Sequence, residues 1–380
     1  MKIVFTVHTY YPEKNGVQVV TEYLAEGLAK KGHDIHVITS LVSGEKKETV
    51  YNDVNIIRVN AQVVHTFNVG DKREYQELLL SKCQGADAVI NVCTQTALTD
   101  WTFPLLDKIN CKKVLYLHGI IDFKLHKNDF TSISTLTHRI WNSLRYKFYY
   151  MKSAKYFKKY DVITQLHQFD RGYKFFLNKY GIYSAIMENA AENVFFDHDS
   201  QVCDNTILSV ANYLPIKNQE LLLEAFYKSN LPLNAKLILI GSSKNSYYFR
   251  LIELKQHFDE KYGIRKVEIL TNKLREEVYE YTKKAKIYLL GSKREMFPIS
   301  IIEAMASGVP FISTDVGCVK YLPGGVIVNN TEEMTYWLEL LWNNERVRAE
   351  LGSIGYSYAI KHFTIDSKIN ELENLIKGEN

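Results

Sequence analysis

The chain has 380 residues, 46% of them hydrophobic and 24% charged, with a formal net charge of +4. That length exceeds what one hydrophobic core commonly fills and predicts two domains, and the composition is that of an ordinary globular protein. So mild a positive balance does not by itself imply nucleic acid or membrane, and no segment nears the roughly 20 apolar residues that span a bilayer.

The first half alternates short β-branched runs with helical patterns. Strands are expected at Ile3–Val7, Ile35–Thr39, Val54–Val59, Ala88–Val92, Val114–His118 and Val162–Thr164, with a helix over Val17–Lys30. The apolar run at Met1–His8 ends too soon for a signal peptide, so it reads as a strand. It runs into Thr9–Gly16, where Gly16 has no side chain to keep a phosphate from the backbone and the helix start adds a favourable dipole. This loop is not a compact GxGxxG, so an anion site and a plain strand-to-helix turn both stay open. His118, followed by Gly119, suits either a hydrogen bond to a sugar hydroxyl as neutral imidazole or the satisfaction of loop carbonyls.

Between Arg145 and Tyr160 the chain is basic and aromatic. Helical spacing would put Phe148, Lys152, Lys155 and Lys159 on one side, open to two equal readings: peripheral contact with anionic membrane, or a solvated face. Nucleic acid has no motif to support it. The five cysteines, at 83, 93, 111, 203 and 318, show no metal-ligand spacing and read as reduced, mostly buried thiols of a cytoplasmic protein. Asp197-His198-Asp199 superficially resembles a DxD element but lacks a preceding strand, so no metal site is expected. HExxH, Walker A and GxSxG patterns are absent.

A second series of strands follows at Thr206–Val210, Lys236–Ile240, Val267–Leu270, Ile287–Leu290 and Val309–Ser313, with a helix over Gln219–Tyr227. Two Rossmann-like halves are the economical α/β solution. The polar run Asp197–Asp204 lies between the series, and a hinge is expected near residues 185 to 205. Boundaries are set at 1–188, 189–360 and a terminal helical piece 361–380 that could pack back on the first domain. Glu332–Ser357 and Ile365–Ile376 read as helical.

In the second series, Lys217 sits in the loop after the first strand, where it could neutralise a diphosphate or simply be solvated; Asn212 could touch the same group without supplying charge. Glu295 follows the strand Ile287–Leu290, and Glu303 lies on a helix with Pro298 in its first turn. Val309–Ser313 is followed by Asp315-Val316-Gly317 at another strand end. Ligands of open α/β sheets collect outside such carboxyl ends.

These pieces resemble the retaining glycosyltransferases of family 4 with the GT-B fold, a group containing many bacterial polysaccharide and glycolipid transferases. The hallmark is a Glu, seven residues and a second Glu, matched by Glu295 to Glu303 with Ala304-Met-Ala-Ser-Gly-Val-Pro310 following. The resemblance runs from Asn15-Gly16 through His118, Asn189, Lys217 and Asp315–Gly317 to the terminal helices. It implies two Rossmann-like domains facing each other across a cleft, acceptor-binding first and donor-binding second. It further implies that Glu303 binds the nucleotide ribose, that Glu295 and His118 address the donor sugar, and that Lys217 contacts the diphosphate. Asn15 and Gly16 would form the first-domain phosphate loop, while amides near Met296, Phe297, Pro298 and Ile299 would lie along sugar and diphosphate, Pro298 itself having no N–H.

The activity implied is transfer of a hexose or N-acetylhexosamine from a nucleotide diphosphate sugar, UDP-sugar favoured, to a glycan or lipid-linked acceptor in cell-surface polysaccharide assembly. No cofactor or metal is expected, no nucleic acid, and the inner face of the cell membrane is a candidate location. The family commonly has Gly-Arg-Leu where this chain has Ala211-Asn212-Tyr213. A lost charge-assisted contact is worth roughly 1.5–3 kcal/mol, unless Lys293 or Arg294 replaces it. Glu188-Asn-Ala-Ala-Glu192 also departs from Asn-Gly-Val-Asp. A sugar-nucleotide-binding scaffold and a phosphorylase on the same fold are the alternatives, and a dinucleotide oxidoreductase is the weakest.

Overall fold

The computed structural model describes residues 1–13, 16–64, 66–120, 133–197 and 204–379. The chain divides into two compact units, Met1–Glu188 with Lys368–Asn380, and Asn189–Ser367. The division falls before the polar run that begins at Asp197, and residues 198–203 of that run lie outside the described residues.

The strands of the first unit are β1 (Lys2–Thr6), β2 (Asp34–Ser40), β3 (Glu48–Tyr51), β4 (Val54–Val59), β5 (Ala61–Val64), β6 (Phe67–Gly70), β7 (Ala88–Val92), β8 (Lys112–Tyr116), β9 (Val162–Gln165) and β10 (Ala185–Ile186). Its helices are α1 (Gly16–Lys30), α2 (Lys72–Cys83), α3 (Ala97–Thr102), α4 (Ile133–Phe157) and α5 (Arg171–Tyr180). Eight strands form one sheet in the order β10-β9-β8-β7-β1-β2-β4-β3, parallel except for the edge strand β3. The β-branched runs of β1 and β7 are buried on both faces, as parallel strands covered by helices must be. One core packs α2 and α3 on the sheet through Tyr75, Leu79, Leu98 and Trp101. Another packs α4 and α5 through Tyr150, Phe157 and Phe176. The hairpin β5–β6 stands outside the sheet.

In the second unit β11 (Thr206–Val210), β12 (Lys236–Gly241), β13 (Lys266–Thr271), β14 (Ile287–Leu290), β15 (Phe311–Thr314) and β16 (Gly325–Val328) form a parallel sheet in the order β13-β12-β11-β14-β15-β16. Around it lie α6 (Gln219–Lys228), α7 (Ser246–Tyr262), α8 (Arg275–Lys284), α9 (Ile299–Ala306), α10 (Thr331–Asn343) and α11 (Glu345–His362). The strand expected at Val309 starts two residues later. The Val309 N–H closes the turn after α9 by donating to Ala304 O at 2.9 Å, and Pro310 has no N–H for the ladder. The helical stretch Glu332–Ser357 is two helices rather than one. Asn344 leaves helical geometry and its side chain accepts from Val347 N at 3.2 Å, capping α11.

The last helix, α12 (Ile365–Lys377), joins the first unit from Lys368 onward. Its apolar face buries Ile369, Leu372 and Ile376, and Gly27 of α1 leaves the space that Ile369 fills. Glu373 accepts from Lys31, from Lys377 at 2.7 Å and pairs with His33 at 3.3 Å. The Lys31 and Lys377 ammonium groups pull the Glu373 carboxyl down to about 2. Buried Lys368 is held by Glu371 at 2.9 Å and Glu188 at 3.8 Å.

Candidate active site

In the second sheet the chain runs β11 to β12 to β13 in one direction, then returns to β14 beside β11. The loops that leave β11 and β14 therefore diverge at their carboxyl ends, which is where ligands of open α/β sheets bind. The two loops are stitched together. Lys293 N donates to Ile216 O at 2.8 Å and Asn218 Nδ2 to Gly291 O at 3.2 Å. Gly291 permits this approach, because a Cβ there would stand 2.9 Å from Asn218 O.

The stitching brings Lys217 and Glu295 into contact across 78 residues of chain, with Nζ–Oε1 at 2.6 Å. Ser292 Oγ donates to the same Glu295 oxygen at 2.7 Å, fixing the carboxylate from the strand end. Both partners are partly buried, so the pair is less screened than a surface bridge. Asn212 is exposed in the same loop. Its backbone carbonyl, with that of Ala211, accepts from Gln219 Nε2, and Tyr213 beside it is a core anchor donating to Leu239 O and Leu270 O.

Pro298 caps α9, with Ile299 as its first helical residue. The Phe297 side chain is buried against Phe363, and its carbonyl accepts from Asn189 Nδ2 at 3.2 Å. Met296 O accepts from Cys318 N at 3.3 Å. Gly317, at φ +54°, turns so tightly against Met296 O that a Cβ would collide with it. The segment Met296–Ile299 is thus pinned from both sides.

Glu303 lies one turn into α9 and is buried. Burial pushes its carboxyl up, and Arg275 works against that shift. Arg275, at the start of α8, donates from Nη2 to Glu303 and from Nε to Glu192 at 2.7 Å, with its guanidinium 4.9 Å from the centre of the Phe195 ring. Burial depresses the Arg275 guanidinium, but Glu303 and Glu192 outweigh it and hold the group firmly charged. Sequence reasoning missed Arg275. Its only local mark is a position just past the end of β13, and the contact spans 28 residues.

The first unit presents different chemistry. Gly16 opens α1, and among the described residues nothing beyond its chain neighbours and its own helix backbone lies within 4 Å of where its Cβ would be. Asn15 lies outside the described residues. His118 falls two residues beyond β8, with its ring 5.2 Å from that of Tyr116. Part of the residue reaches solvent, but Nε2 is buried and has no hydrogen-bond partner among the described residues. Burial pulls its imidazole down to about 4, so the ring is neutral at pH 7. Lys159 does not extend the expected stripe. α4 ends at Phe157, and Lys159 turns away to pair with Asp107. Among the described residues no helix is long and apolar enough to cross a membrane.

An open parallel sheet with cationic and carboxylate groups at its crossover defines an α/β protein of the Rossmann-like class, and here the class is doubled. The profile described as Glycosyltransferase Family 4 matches residues 14–171, and that described as Glycosyl transferases group 1 matches residues 191–324. N-acetyl-alpha-D-glucosaminyl L-malate synthase from Bacillus anthracis is 23% identical over 330 residues, covering 81% of this chain and 78% of the relative. An uncharacterized glycosyltransferase from Methanocaldococcus jannaschii is 23% identical over 370 residues, covering 93% and 92%. The crystal structure of HepE from Anabaena in complex with UDP superposes with a TM-score of 0.73 at 13% identity, over all of both chains. The chain is a glycosyltransferase with the GT-B fold, its two halves matching the family 4 and the group 1 models in turn.

Proposed function

We propose that the enzyme transfers a hexose or N-acetylhexosamine from a UDP-sugar, with retention of anomeric configuration, to a glycan or glycolipid acceptor of cell-surface polysaccharide assembly. The observation that carries this reading is the Lys217–Glu295 contact at the sheet crossover, with Glu303 on the helix that follows. A cation for the diphosphate, a carboxylate for the sugar and a second carboxylate for the ribose stand on successive elements of one unit. The neighbour solved with UDP supports uridine as the base. The relative named N-acetyl-alpha-D-glucosaminyl L-malate synthase keeps N-acetylhexosamine among the donors.

In this mechanism the donor diphosphate takes Lys217 from Glu295, and the freed carboxylate turns to the hydroxyls of the sugar. The anomeric C–O bond to the diphosphate breaks while the acceptor oxygen bonds on the same face, its proton passing to a phosphate oxygen. Lys217 and the amides near Ile299 stabilise the departing charge, and the helix start at Gly16 offers the first unit's own anion contact; no metal is required. Neutral His118 donates to a sugar hydroxyl. Glu295 is not a nucleophile here, because paired-carboxylate catalysis needs both groups astride the anomeric carbon, and Glu303 is assigned to ribose. Lys152 and Lys155 of α4 would bring the first unit to anionic lipid, near a lipid-linked acceptor.

The test is mass-resolved turnover of UDP- and GDP-sugars with lipid-linked, oligosaccharide and L-malate acceptors, with and without EDTA. A sugar-sized mass gain from UDP-sugar that EDTA does not abolish is the expected result. Nucleotide binding without turnover across the panel would favour the scaffold reading, and sugar 1-phosphate formed with inorganic phosphate the phosphorylase.

A further inference from the structure

The helix α4 and the hairpin β5–β6 share a property that the transferase reading does not use. Along α4, Trp141 (69% exposed), Leu144 (58%), Phe148 (63%) and Met151 (60%) are spaced three, four and three residues apart, so they form one outward stripe. The opposite face buries Tyr150 and Phe157 in the core, so this stripe is not the helix's packing surface. Lys147, Lys152 and Lys155 are exposed beside it, and residues 133–157 contain no Asp or Glu.

The hairpin repeats the pattern without charge. Residues 61–70 contain no Asp, Glu, Lys or Arg, yet Phe67 is 73% exposed and Val63, Val64 and Val69 are exposed with it. Alternation along β6 explains how. Asn68 points inward and donates to Asp100 Oδ2 at 2.8 Å, which sends Phe67 and Val69 outward. The other oxygen of Asp100 accepts from Tyr149 of α4 at 2.5 Å. One carboxylate of α3 therefore clamps the hairpin and α4 side by side.

We infer that α4 and the β5–β6 hairpin form a single docking surface for an anionic lipid bilayer, with the hairpin and the Trp141–Met151 stripe entering the headgroup boundary and Lys147, Lys152 and Lys155 meeting lipid phosphates. This deepens the peripheral contact proposed above, moving it from a lysine stripe to an apolar wedge with a basic border. Charge complementarity selects the occupant: an apolar stripe flanked by cations with no acidic residue fits an anionic interface, with the indole at headgroup level. Asp100 positions the surface and does not touch lipid.

The experiment uses the full chain with vesicles of phosphatidylcholine alone or mixed with phosphatidylglycerol, read by flotation and by quenching of tryptophan fluorescence with brominated acyl chains. Anionic vesicles should bind the protein, and quenching should fall sharply in Trp141→Phe, since of the other three tryptophans Trp101 and Trp342 are buried and Trp337 is partly buried against the core of the second unit. Lys147→Glu with Lys152→Glu and Lys155→Glu should lower the partition coefficient at least about tenfold, and Phe67→Ser with Phe148→Ser should lower it comparably. Vesicle binding unaffected by either set, quenching unchanged in Trp141→Phe, or self-association through this face that excludes vesicles would each overturn the proposal. UDP affinity, measured on the same preparations, tests the transferase reading separately and also reports that each variant is folded.

Discussion

The two units present opposite chemistry at their strand ends. In the second, every charged group named at the site already has a partner of opposite sign within that unit: Lys217 holds Glu295, and Arg275 holds Glu303. In the first, the corresponding positions offer a neutral imidazole and an open glycine. The difference teaches where binding energy resides. On the proposed reading, the preformed ion pairs would exchange one partner for a charged donor without exposing a bare charge in a partly buried site, whereas the neutral histidine would orient a sugar at no electrostatic cost.

The largest effect that would sharpen this contrast is Lys217→Ala, expected to lower kcat by about 10²–10³, a cost of about 3–4 kcal/mol. Lys217→Arg should restore part of it, and single-turnover kinetics with UDP-sugar read both. Turnover unchanged in Lys217→Ala would place the diphosphate elsewhere.

Next come the two carboxylates, which should separate. Glu295→Ala should reduce transfer while leaving UDP affinity near the parent's, and Glu303→Ala should weaken UDP binding as well, by roughly tenfold for a charge-assisted contact. Calorimetric UDP titrations beside initial rates distinguish them, and identical behaviour of the two variants would break the assignment.

Arg275→Ala should act through Glu303. It leaves a buried carboxylate unpaired, costing about 2 kcal/mol of stability, less than for a fully buried pair because Arg275 is half-exposed. Burial already raises the Glu303 carboxyl, and losing Arg275 raises it further. Its charge is then lost at higher pH, so UDP affinity in the variant should begin to fall at a higher pH than in the parent as the solution is acidified. Parallel pH profiles would reduce Arg275 to a structural role.

His118 should be silent by comparison. With its pKa near 4, it stays neutral from pH 5 to 8, so kcat should show no His118 titration there. A rate step near pH 6.5 abolished by His118→Gln would contradict its burial. The smallest effect is at α12. Glu373→Gln should cost about 1 kcal/mol after allowance for solvent screening of its lysine partners. Because the folded carboxyl is depressed to about 2, that contribution is present above the ordinary glutamate range and fades as pH falls from about 4.3 toward 2. Thermal melts of parent and variant should converge at acid pH.

Much of the fold was legible because its signals are local. Buried parallel strands appear as β-branched runs, and every strand expected in either half matches one of the two sheets to within about two residues. The missed strands β3, β5, β6, β10 and β16 are short, at edges or outside the main sheets, where burial imposes no strong pattern. The break at Asn344 was hidden because helical periodicity continues across it and only the side-chain cap interrupts it. Lys159 was misassigned because the sequence carries no glycine or proline stop after Phe157, where α4 ends.

At the site, the spacing from Glu295 to Glu303 and the strand-end placement of Lys217 belonged to the sequence alone, since each depends on a strand-to-helix turn within a few residues. Tertiary structure alone decided who holds these groups. The Lys217–Glu295 contact needs β14 to return beside β11, and the Arg275–Glu303 pair needs α8 and α9 to pack together. The α4–hairpin surface needs Asp100 to bond two elements that sequence separates by about 80 residues. Short-range periodicity records what each segment buries, and only closure of long loops records which buried or exposed groups become neighbours.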